Sequence, residues 1–319
     1  MGGGQAPASK KELEGLIVTQ DLAAPRGYSS AVALGFFDGV HIGHREVIGA
    51  AVRAAKAGGL VPCVFTFRPS GALPAGKSAL TLLQTEEQKE EVFRSLGVEE
   101  AVCPAFSEFQ AMSPEGFVRD FLHGVMGAKV ISCGFNYHFG KGGAAGVEEL
   151  RALCRPLGIR VEAVPAVLWE GEPVSSTRIR GCIREGRMEE AAGMLGSPFT
   201  LELPVVHGKR LARTQSWPTI NQIFPPDFTI PRHGVYYSRA VLDGREWAAI
   251  TNVGIKPTLH ETNLTMETYI LDYTGDLYGR TIPVSLLKFL RPEMKFASVE
   301  ELSGRIREDI KAVRELAGA

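Results

Sequence analysis

The chain has 319 residues, of which 45% are hydrophobic and 22% are charged, and it is long enough to form two cores. Lysine and arginine number 35 against 36 aspartate and glutamate residues, which gives a formal net charge of -1. This balance excludes a general electrostatic attraction to nucleic acid or to an anionic membrane, so any polyanion must be bound locally.

Cysteine usage and the start of the chain bear on its compartment. The cysteines are scattered and include no CxxC pair, which predicts neither a disulfide framework nor a thiolate zinc site. The opening residues, MGGGQAPASKKELEG, lack the apolar run of a signal peptide, and no later stretch is long enough to span a bilayer. We therefore expect a cytoplasmic protein whose thiols lie in its core.

The first half of the chain alternates short apolar runs with stretches of helical periodicity. The runs are AVALGFF, LVPCVFTF, EAVCPAF, KVISCGF and RVEAVPAV. We predict helices over residues 44–57, 85–96 and 113–126, with Thr85 and Ser113 as N-caps of the last two. This alternation predicts an α/β domain with right-handed crossovers and a parallel sheet.

The second half has a different pattern after Pro198. Period-two segments such as GVYYSRAVL and METYILDY are separated by turn signals such as LDGR and YTGD. They predict an antiparallel β-barrel domain, and the helical spacing near the end of the chain predicts a C-terminal helix. We expect the two domains to span residues 1–186 and 187–319.

His41 and His44 lie three residues apart at the predicted start of the first helix. At this spacing both imidazoles project from the first turn, next to N–H groups that have no partner within the helix. Such a helix start binds phosphate, and Gly39 and Gly43 allow the backbone to approach it closely. A turn with a helix cap, or two ligands of a metal, are the alternatives, although no third ligand is evident nearby.

A second helix start is predicted within VSSTRIRGCIREG, residues 174–186, and this helix carries arginines. Ser176 and Thr177 precede Arg178 and Arg180 in this stretch. Hydroxyl caps and arginines at one helix start can hold another part of a polyphosphate. A purely structural capping box is the alternative.

The chain resembles the prokaryotic bifunctional riboflavin kinase/FAD synthetases, through GFFDGVHIGH and SSTRIR in the first half and through the whole second half. The resemblance implies a Rossmann-like nucleotidylyltransferase domain followed by the barrel. It also implies that His41 and His44 position ATP while the FMN phosphate attacks the α-phosphate and pyrophosphate leaves. ATP binding in this module is assigned to Gly35, Phe37, Asp38, Gly39, Gly43, Ser176, Thr177 and Arg180.

The third motif of that family is altered in this chain. The usual pattern is roughly G-x-D-F-R-F-G-x-x-R-x-G, whereas residues 134–146 read GFNYHFGKGGAAG. Asn136 and Tyr137 replace Asp and Phe, and His138 and Gly143 replace the two arginines. An amide can still hydrogen-bond a flavin and aromatic rings can still pack on it. The flavin is therefore expected to meet Asn136, Tyr137 and Phe139.

The kinase module of the family is matched by GKRLARTQSWPTINQIFP, residues 208–225. The resemblance assigns ATP binding to Gly208 and Arg213. Thr219 and Asn221 are two residues apart in an extended segment and would present oxygen atoms to one side. Such hard ligands suit Mg²⁺, although PTIN taken alone is more typical of a structural turn.

Glu267 lies in LTMETYILDY, where period-two alternation puts it on the face opposite Met266. One face should be core, so we expect Glu267 to share its face with apolar neighbours, where a carboxylate is costly unless it is used or paired. The resemblance makes this glutamate the base for the ribityl 5'-hydroxyl that attacks the ATP γ-phosphate. A surface glutamate paired with Lys256 or Arg280 is the alternative.

The resemblance further implies that Arg291 and Phe296 line the flavin site and that Asp309 anchors the terminal helix. It predicts ATP-dependent phosphorylation of riboflavin to FMN and adenylylation of FMN to FAD, both with Mg²⁺. The alternatives are a riboflavin kinase with a degenerate or regulatory N-terminal domain, or a regulator that has lost catalysis. We expect riboflavin, FMN and ATP as partners, no nucleic acid or membrane, and at most weak self-association.

Overall fold

A computed structural model describes residues 10–13, 15–20, 22, 25–68, 81–206, 219–257 and 262–318. Contacts between residues divide the chain into two compact units. The first comprises Met1–Leu80 and Thr85–Ser175, and the second comprises Thr81–Gln84 and Ser176–Ala319. Residues 176–186 thus cluster with the second unit, whereas the domain bounds expected from the sequence stay a prediction.

The first unit consists of strands joined by helices. Its strands are β1 (Lys10–Leu13), β2 (Leu16–Thr19), β3 (Ser30–Leu34), β4 (Val61–Phe65), β5 (Glu100–Val102), β6 (Ala128–Gly134), β7 (Arg160–Val164), β8 (Leu168–Trp169) and β9 (Glu172–Pro173). Its helices are α1 (Ile42–Gly58), α2 (Glu86–Ser95), α3 (Phe106–Phe109), α4 (Pro114–Gly116), which continues as a π-helix over Phe117–Val125, and α5 (Val147–Cys154). Short 3₁₀ turns lie at Lys141–Gly143 and Arg155–Leu157.

The main sheet of this unit has the strand order β1-β2-β5-β4-β3-β6-β7. β1 pairs with β2 antiparallel, and the other neighbouring strands pair in parallel. The central strand β3 is buried on both faces, as expected for a parallel sheet covered by helices. Ala31 and Ala33 join the core under α1, whereas Val32 and Leu34 join the core formed with the π-helix. The predicted α/β fold is confirmed.

Local sequence signals account for most of these elements. Thr85 accepts a hydrogen bond from the Gln88 amide at 3.1 Å while the Gln88 side chain accepts one from the Thr85 amide, which completes a capping box. Ser113 caps α4 through the Gly116 amide. The strands β1, β2, β8 and β9, the helix α5 and the π-helical winding of the third predicted helix were not predicted from the sequence.

The second unit is an antiparallel barrel with helices before and after it. Its elements are α6 (Ser176–Glu185), α7 (Met188–Leu195), β10 (Phe199–Pro204), β11 (Thr219–Ile223), β12 (Gly234–Leu242), β13 (Arg245–Pro257), β14 (Thr262–Ile270), β15 (Thr281–Arg291) and α8 (Val299–Ala317). The strand order is β10-β15-β12-β13-β14-β11. The Val206 amide donates to the Asn221 carbonyl at 2.8 Å, so the two edges of the sheet meet. The predicted barrel and terminal helix are confirmed.

Polar side chains inside the barrel fix the relation between its strands. The fully buried Gln222 donates from Nε2 to the carbonyls of Leu203 and Ile282, at 2.7 and 2.8 Å. These two residues pair across β10 and β15, so one side chain of β11 holds the backbone of two other strands. Because buried carbonyls need partners, these bonds resist both opening of the seam and slippage of β11.

We predict that Gln222→Met destabilises the barrel. The substitution nearly keeps the side-chain volume but removes two hydrogen bonds and leaves two buried carbonyls without them, at a cost of about 2 kcal/mol. The thermal midpoint of the second unit, followed by circular dichroism, should fall by several degrees. The exposed neighbour variant Ile223→Met is the control and should leave the midpoint nearly unchanged; equal midpoints for the two variants would contradict the assignment.

Candidate functional site

The loop after β3 lies where the connections of the parallel sheet change direction. β3 has β4 on one side and β6 on the other, with Leu34 paired to Phe65 and to Cys133. The loops that follow these three strands therefore leave the sheet at the same carboxyl edge. Ligands of open α/β sheets bind in the crevice outside this edge.

The backbone of the loop after β3 is tightly constrained. Phe37 and Val40 have positive φ angles of 51° and 30°, which non-glycine residues rarely adopt. A Cβ atom at Gly35 would lie 2.7 Å from the Phe37 ring, so glycine is needed there. Arg45 donates from Nε to the Val40 carbonyl at 3.1 Å and holds the turn from the helix side. The buried Asp38 lies within the same loop.

His41 is the N-cap of α1. Its Nδ1 accepts a hydrogen bond from the His44 amide at 3.2 Å, and the residue is only 6% exposed. Burial lowers the pKa of His41 to about 4, so the ring is neutral at neutral pH. With Nδ1 used as an acceptor, the neutral ring carries its proton on Nε2 and can donate only from that atom.

His44 stacks on His41, with ring centroids 3.5 Å apart and an interplanar angle of 14°. The edge of Phe37 contacts His44 at a centroid distance of 5.3 Å. A Cβ atom at Gly43 would lie 3.3 Å from the His41 ring, so the glycine leaves room for the stack. The cap alternative thus describes part of the role of His41. In the described residues no group of three or more His, Cys, Asp and Glu side chains could hold a metal ion.

The altered third motif forms the loop after β6. Phe139 and Ala145 exchange backbone hydrogen bonds of 3.0 and 3.2 Å that close this loop. The Asn136 side chain is exposed, whereas Phe139 is buried in the core and stacks on Tyr137 at 6.0 Å. Burial raises the pKa of Tyr137 far above its usual value, so its hydroxyl stays protonated. Of the three predicted flavin contacts, Asn136 is the side chain that the loop exposes.

Ser176 and Thr177 form the first turn of α6, in the second unit. Arg180, which was expected to bind ATP, is 2% exposed and donates from Nε to the Thr81 carbonyl at 2.6 Å. Arg184 reaches the Thr81 hydroxyl at 3.3 Å. The sequence did not predict that Arg180 holds this segment, and its role towards ATP stays a prediction.

A row of polar side chains crosses the outer face of the barrel. Glu267 on β14 lies directly opposite Asn221 on β11 and directly opposite Asn252 on β13. Side chains of directly paired residues point to the same face, with Cβ atoms about 4.5–5.5 Å apart. Thr219 shares this face, two residues before Asn221 on the same strand. The row therefore brings one carboxylate and two amides together.

The expectation that Glu267 shares its face with apolar neighbours is wrong. Met266 and Thr268 point into the fully buried interior, whereas Glu267 lies on the half-buried outer face between two asparagines. The reason is that a closed barrel has one packed side, and α8 covers only part of the other. Arg280, one of the two surface partners considered for Glu267, binds Asp243 at 2.6 Å. The Lys256 side chain lies outside the described residues.

Arg291 anchors the terminal helix. Its guanidinium binds the Asp309 carboxylate through three contacts of 2.7 to 3.1 Å, where Asp309 is buried and the Arg291 side chain is 10% exposed. Arg291 also lies 6.0 Å from the centre of the Phe296 ring. Both residues were expected to line a flavin site, and the structure brings them together, but the guanidinium already has a partner on α8. Gly208 and Arg213 lie outside the described residues.

Asn252 and Glu293 were not singled out from the sequence. Asn252 donates from Nδ2 to Glu293 Oε1 at 3.4 Å, which places a second carboxylate at the end of the polar row. The signal could not be found locally, because the Asn252–Glu267 register depends on the pairing of two long strands. Glu293 comes from the segment after β15, 41 residues from Asn252.

We predict that His41 makes the first unit less stable in acid. The unfolded chain takes up a proton near pH 6.5, whereas folded His41 does so only near pH 4. Its stability contribution is therefore complete above about pH 7 and is lost as the pH falls through 6.5 towards 4, by about 2 kcal/mol at pH 5. His41→Asn, which keeps a good N-cap, should weaken this dependence in thermal unfolding at pH 7 and pH 5.

The matched control is His123→Asn, in the same unit and away from the loop. It should retain the acid sensitivity of the parent chain. An unchanged loss of stability between pH 7 and pH 5 in His41→Asn would show that His41 is not the group responsible.

Comparisons with known proteins match both units. The sequence model of the FAD synthetase family matches residues 24–178, and that of the riboflavin kinase family matches residues 195–317. A bifunctional riboflavin kinase/FMN adenylyltransferase of Listeria monocytogenes is 34% identical over 290 residues, which cover 90% of this chain and 92% of that protein. Proteins of the same name from Bacillus subtilis and Escherichia coli are 31% and 30% identical, over 88% and 90% of this chain and 90% and 92% of their own lengths.

A solved structure from Streptococcus pneumoniae is similar over the whole fold. It has a TM-score of 0.85 and 30% identity, and the similarity covers 94% of this chain and 99% of that one. Its title describes a macrolide-efflux protein. Among the residues described for this chain, no helix has both the length and the apolar composition needed to cross a membrane. The two sequence-model matches and the identity over nine-tenths of its length show that this chain belongs to the family of bifunctional riboflavin kinase/FMN adenylyltransferases, which are transferases.

Proposed function

We propose that the two units catalyse successive reactions, in which the barrel phosphorylates riboflavin with ATP and the α/β unit transfers the AMP moiety of a second ATP to the FMN product. The alternative of a kinase with a degenerate first domain is not favoured, because both family models match and the relatives carry names for both activities. ATP is the co-substrate, and FMN and FAD are the products.

The neutral, capped His41 supports the adenylyltransferase assignment. Adenylyl transfer needs positioning and neutralisation of phosphate oxygens rather than a covalent nucleophile. His41 offers one N–H from Nε2 at the start of α1, where the helix dipole also favours an anion. His44, stacked on it, extends the donor surface towards the α-phosphate as the FMN phosphate attacks and pyrophosphate leaves. Asn136, exposed at the same sheet edge, would hydrogen-bond the flavin.

The register of Asn221 and Glu267 is the observation that carries the kinase assignment. Glu267 accepts the proton of the ribityl 5'-hydroxyl as that oxygen attacks the γ-phosphorus of ATP, the bond from this phosphorus to the bridging oxygen breaks and ADP leaves. Asn221 and Thr219 lie beside it on one face of β11, both half-buried, so their oxygen atoms fit the ligand preference of Mg²⁺. The ion, when bound, would join these residues to the nucleotide phosphates and neutralise part of their charge.

We also propose that the enzyme works in the cytoplasm on small molecules. All five cysteines are free and buried, and burial raises their pKa values, which suits unreactive thiols in the reducing cytoplasm. The formal net charge of -1 supports small-molecule partners without nucleic acid. Self-association, if it occurs, is expected to be weak.

We predict that the two reactions can be abolished separately. With riboflavin and MgATP, His44→Ala should accumulate FMN, because adenylyl transfer loses a phosphate donor while the barrel is intact. Glu267→Gln should leave riboflavin unchanged yet still convert added FMN to FAD. The rate of adenylyl transfer in His44→Ala and the rate of riboflavin phosphorylation in Glu267→Gln should each fall by at least about a hundredfold. For Glu267 this is the usual contribution of a general base. Chromatography of the flavins measures both.

The controls are His123→Ala in the first unit and the exposed Glu202→Gln on β10, which should behave like the parent chain. FAD formation at the parent rate by His44→Ala would contradict the first assignment. Riboflavin phosphorylation at the parent rate by Glu267→Gln would contradict the second.

We further predict that Asn221→Ala weakens the use of Mg²⁺ by the barrel alone. Losing an oxygen ligand should raise the Mg²⁺ concentration for half-maximal riboflavin phosphorylation about tenfold. Adenylylation of FMN, titrated with Mg²⁺ in the same preparation, should be unaffected. An unchanged Mg²⁺ dependence of the kinase step would rule out Asn221 as a ligand.

A further inference from the structure

We propose that Asn252, held by Glu293, is a positioning residue that orients the Glu267 carboxylate for riboflavin phosphorylation. This inference rests on the proposed role of Glu267 as the base. It adds two residues, Asn252 and Glu293, which lie on the side of Glu267 away from Asn221. It concerns how the base is held, not whether the barrel is a kinase.

The strand register determines which side chains lie next to Glu267 on the outer face. β14 lies between β11 and β13, so Glu267 has Asn221 on one side and Asn252 on the other. Thr251 and Val253 point into the buried interior, which leaves Asn252 on the same outer face as Glu267. Direct cross-strand neighbours are close enough for an amide to hydrogen-bond a carboxylate. Asn221 is proposed to face the metal, and Asn252 is the amide on the other side of Glu267.

Glu293 sets the orientation of the Asn252 amide. An ionised carboxylate only accepts hydrogen bonds, so Glu293 Oε1, 3.4 Å from Nδ2, fixes the NH₂ group on its side rather than the carbonyl. The NH₂ group has a second N–H, which can be donated to Glu267. Without Glu293 the amide can flip and present its carbonyl to the Glu267 carboxylate, which repels it.

Neighbouring residues restrain the position of Glu293. Two residues earlier, Arg291 is held in its ion pair with Asp309 on α8, which restrains the start of the segment. The Glu293 carboxylate lies directly over Gly254, where a Cβ atom would overlap Oε1 and lie 2.8 Å from Cδ. A glycine at this point of β13 thus provides the space in which Glu293 reaches Asn252.

The test uses the full chain and steady-state kinetics of both reactions. Asn252→Ala should lower kcat for riboflavin phosphorylation about tenfold, with KM for riboflavin and ATP within about twofold. Asn252→Asp should be at least as impaired, because it adds a third carboxylate to the row. FMN adenylylation, catalysed by the other unit, should keep the parent rate and so reports intact protein.

Two further variants separate positioning from a general loss of structure. Gly254→Ala should displace only the flexible end of Glu293 and lower kcat about as much as Glu293→Gln does, whereas the exposed Glu246→Gln on the same strand should have no effect. In a Glu267→Gln background, Asn252→Ala should cause no further loss, because it acts through Glu267.

Parent-like kcat in Asn252→Ala, or a further multiplicative loss in the Glu267→Gln background, would overturn the inference. These outcomes leave the proposed function standing as long as Glu267→Gln itself abolishes phosphorylation. A parent-like Glu267→Gln would instead remove the proposed base and the inference with it.

Discussion

Strand register in the barrel is the constraint on which its chemistry depends. A slip of one residue in β14 would turn Glu267 into the interior and bring Met266 to the surface, because side chains alternate with a period of two. Polar groups inside the barrel oppose this slip. Gln222 holds carbonyls on two strands, and the buried hydroxyl of Thr251 bonds those of Ser238 and Thr268 at 2.6 and 2.9 Å. The interior thus specifies which side chains meet on the outer face.

In the α/β unit the corresponding constraint is the backbone of the loop after β3. Positive φ angles at Phe37 and Val40 cost energy that surrounding contacts must offset. The Phe37 ring supplies part of the offsetting contacts, since it packs against His44 and against Phe93 of the core. His41 then serves two purposes with one ring, because capping with Nδ1 leaves Nε2 as the donor.

The sequence was sufficient for most of the longer elements and insufficient for the short strands and for the pairing of strands. Apolar runs and caps predicted the parallel strands and the helices that begin at Thr85 and Ser113, because these signals are local. β2 was missed since its four residues, LIVT, are followed by no helical pattern. The face of Glu267 was wrong because period-two alternation defines two faces without saying which is inside.

For two arginines as well, local sequence did not predict the partner that the side chain binds in the fold. Motif position marked Arg180 and Arg291 as ligand-binding, yet both bind partners 99 and 18 residues away in the chain. A desolvated guanidinium needs a fixed partner, and once Asp309 supplies one, breaking the pair to bind a ligand would leave a buried charge at a cost of about 3–5 kcal/mol. Such an arginine is better suited to holding a helix than to binding and releasing a substrate.

The binding of phosphates depends on which donors the described residues of each unit offer. At the sheet edge of the α/β unit, the described residues offer the neutral imidazole of His41 and the ring of His44 stacked on it. On the barrel the row offers amides, a hydroxyl and two carboxylates, those of Glu267 and Glu293. A neutral donor such as the His41 imidazole attracts an anion less strongly than a guanidinium does, which in the proposed site would let product leave more readily.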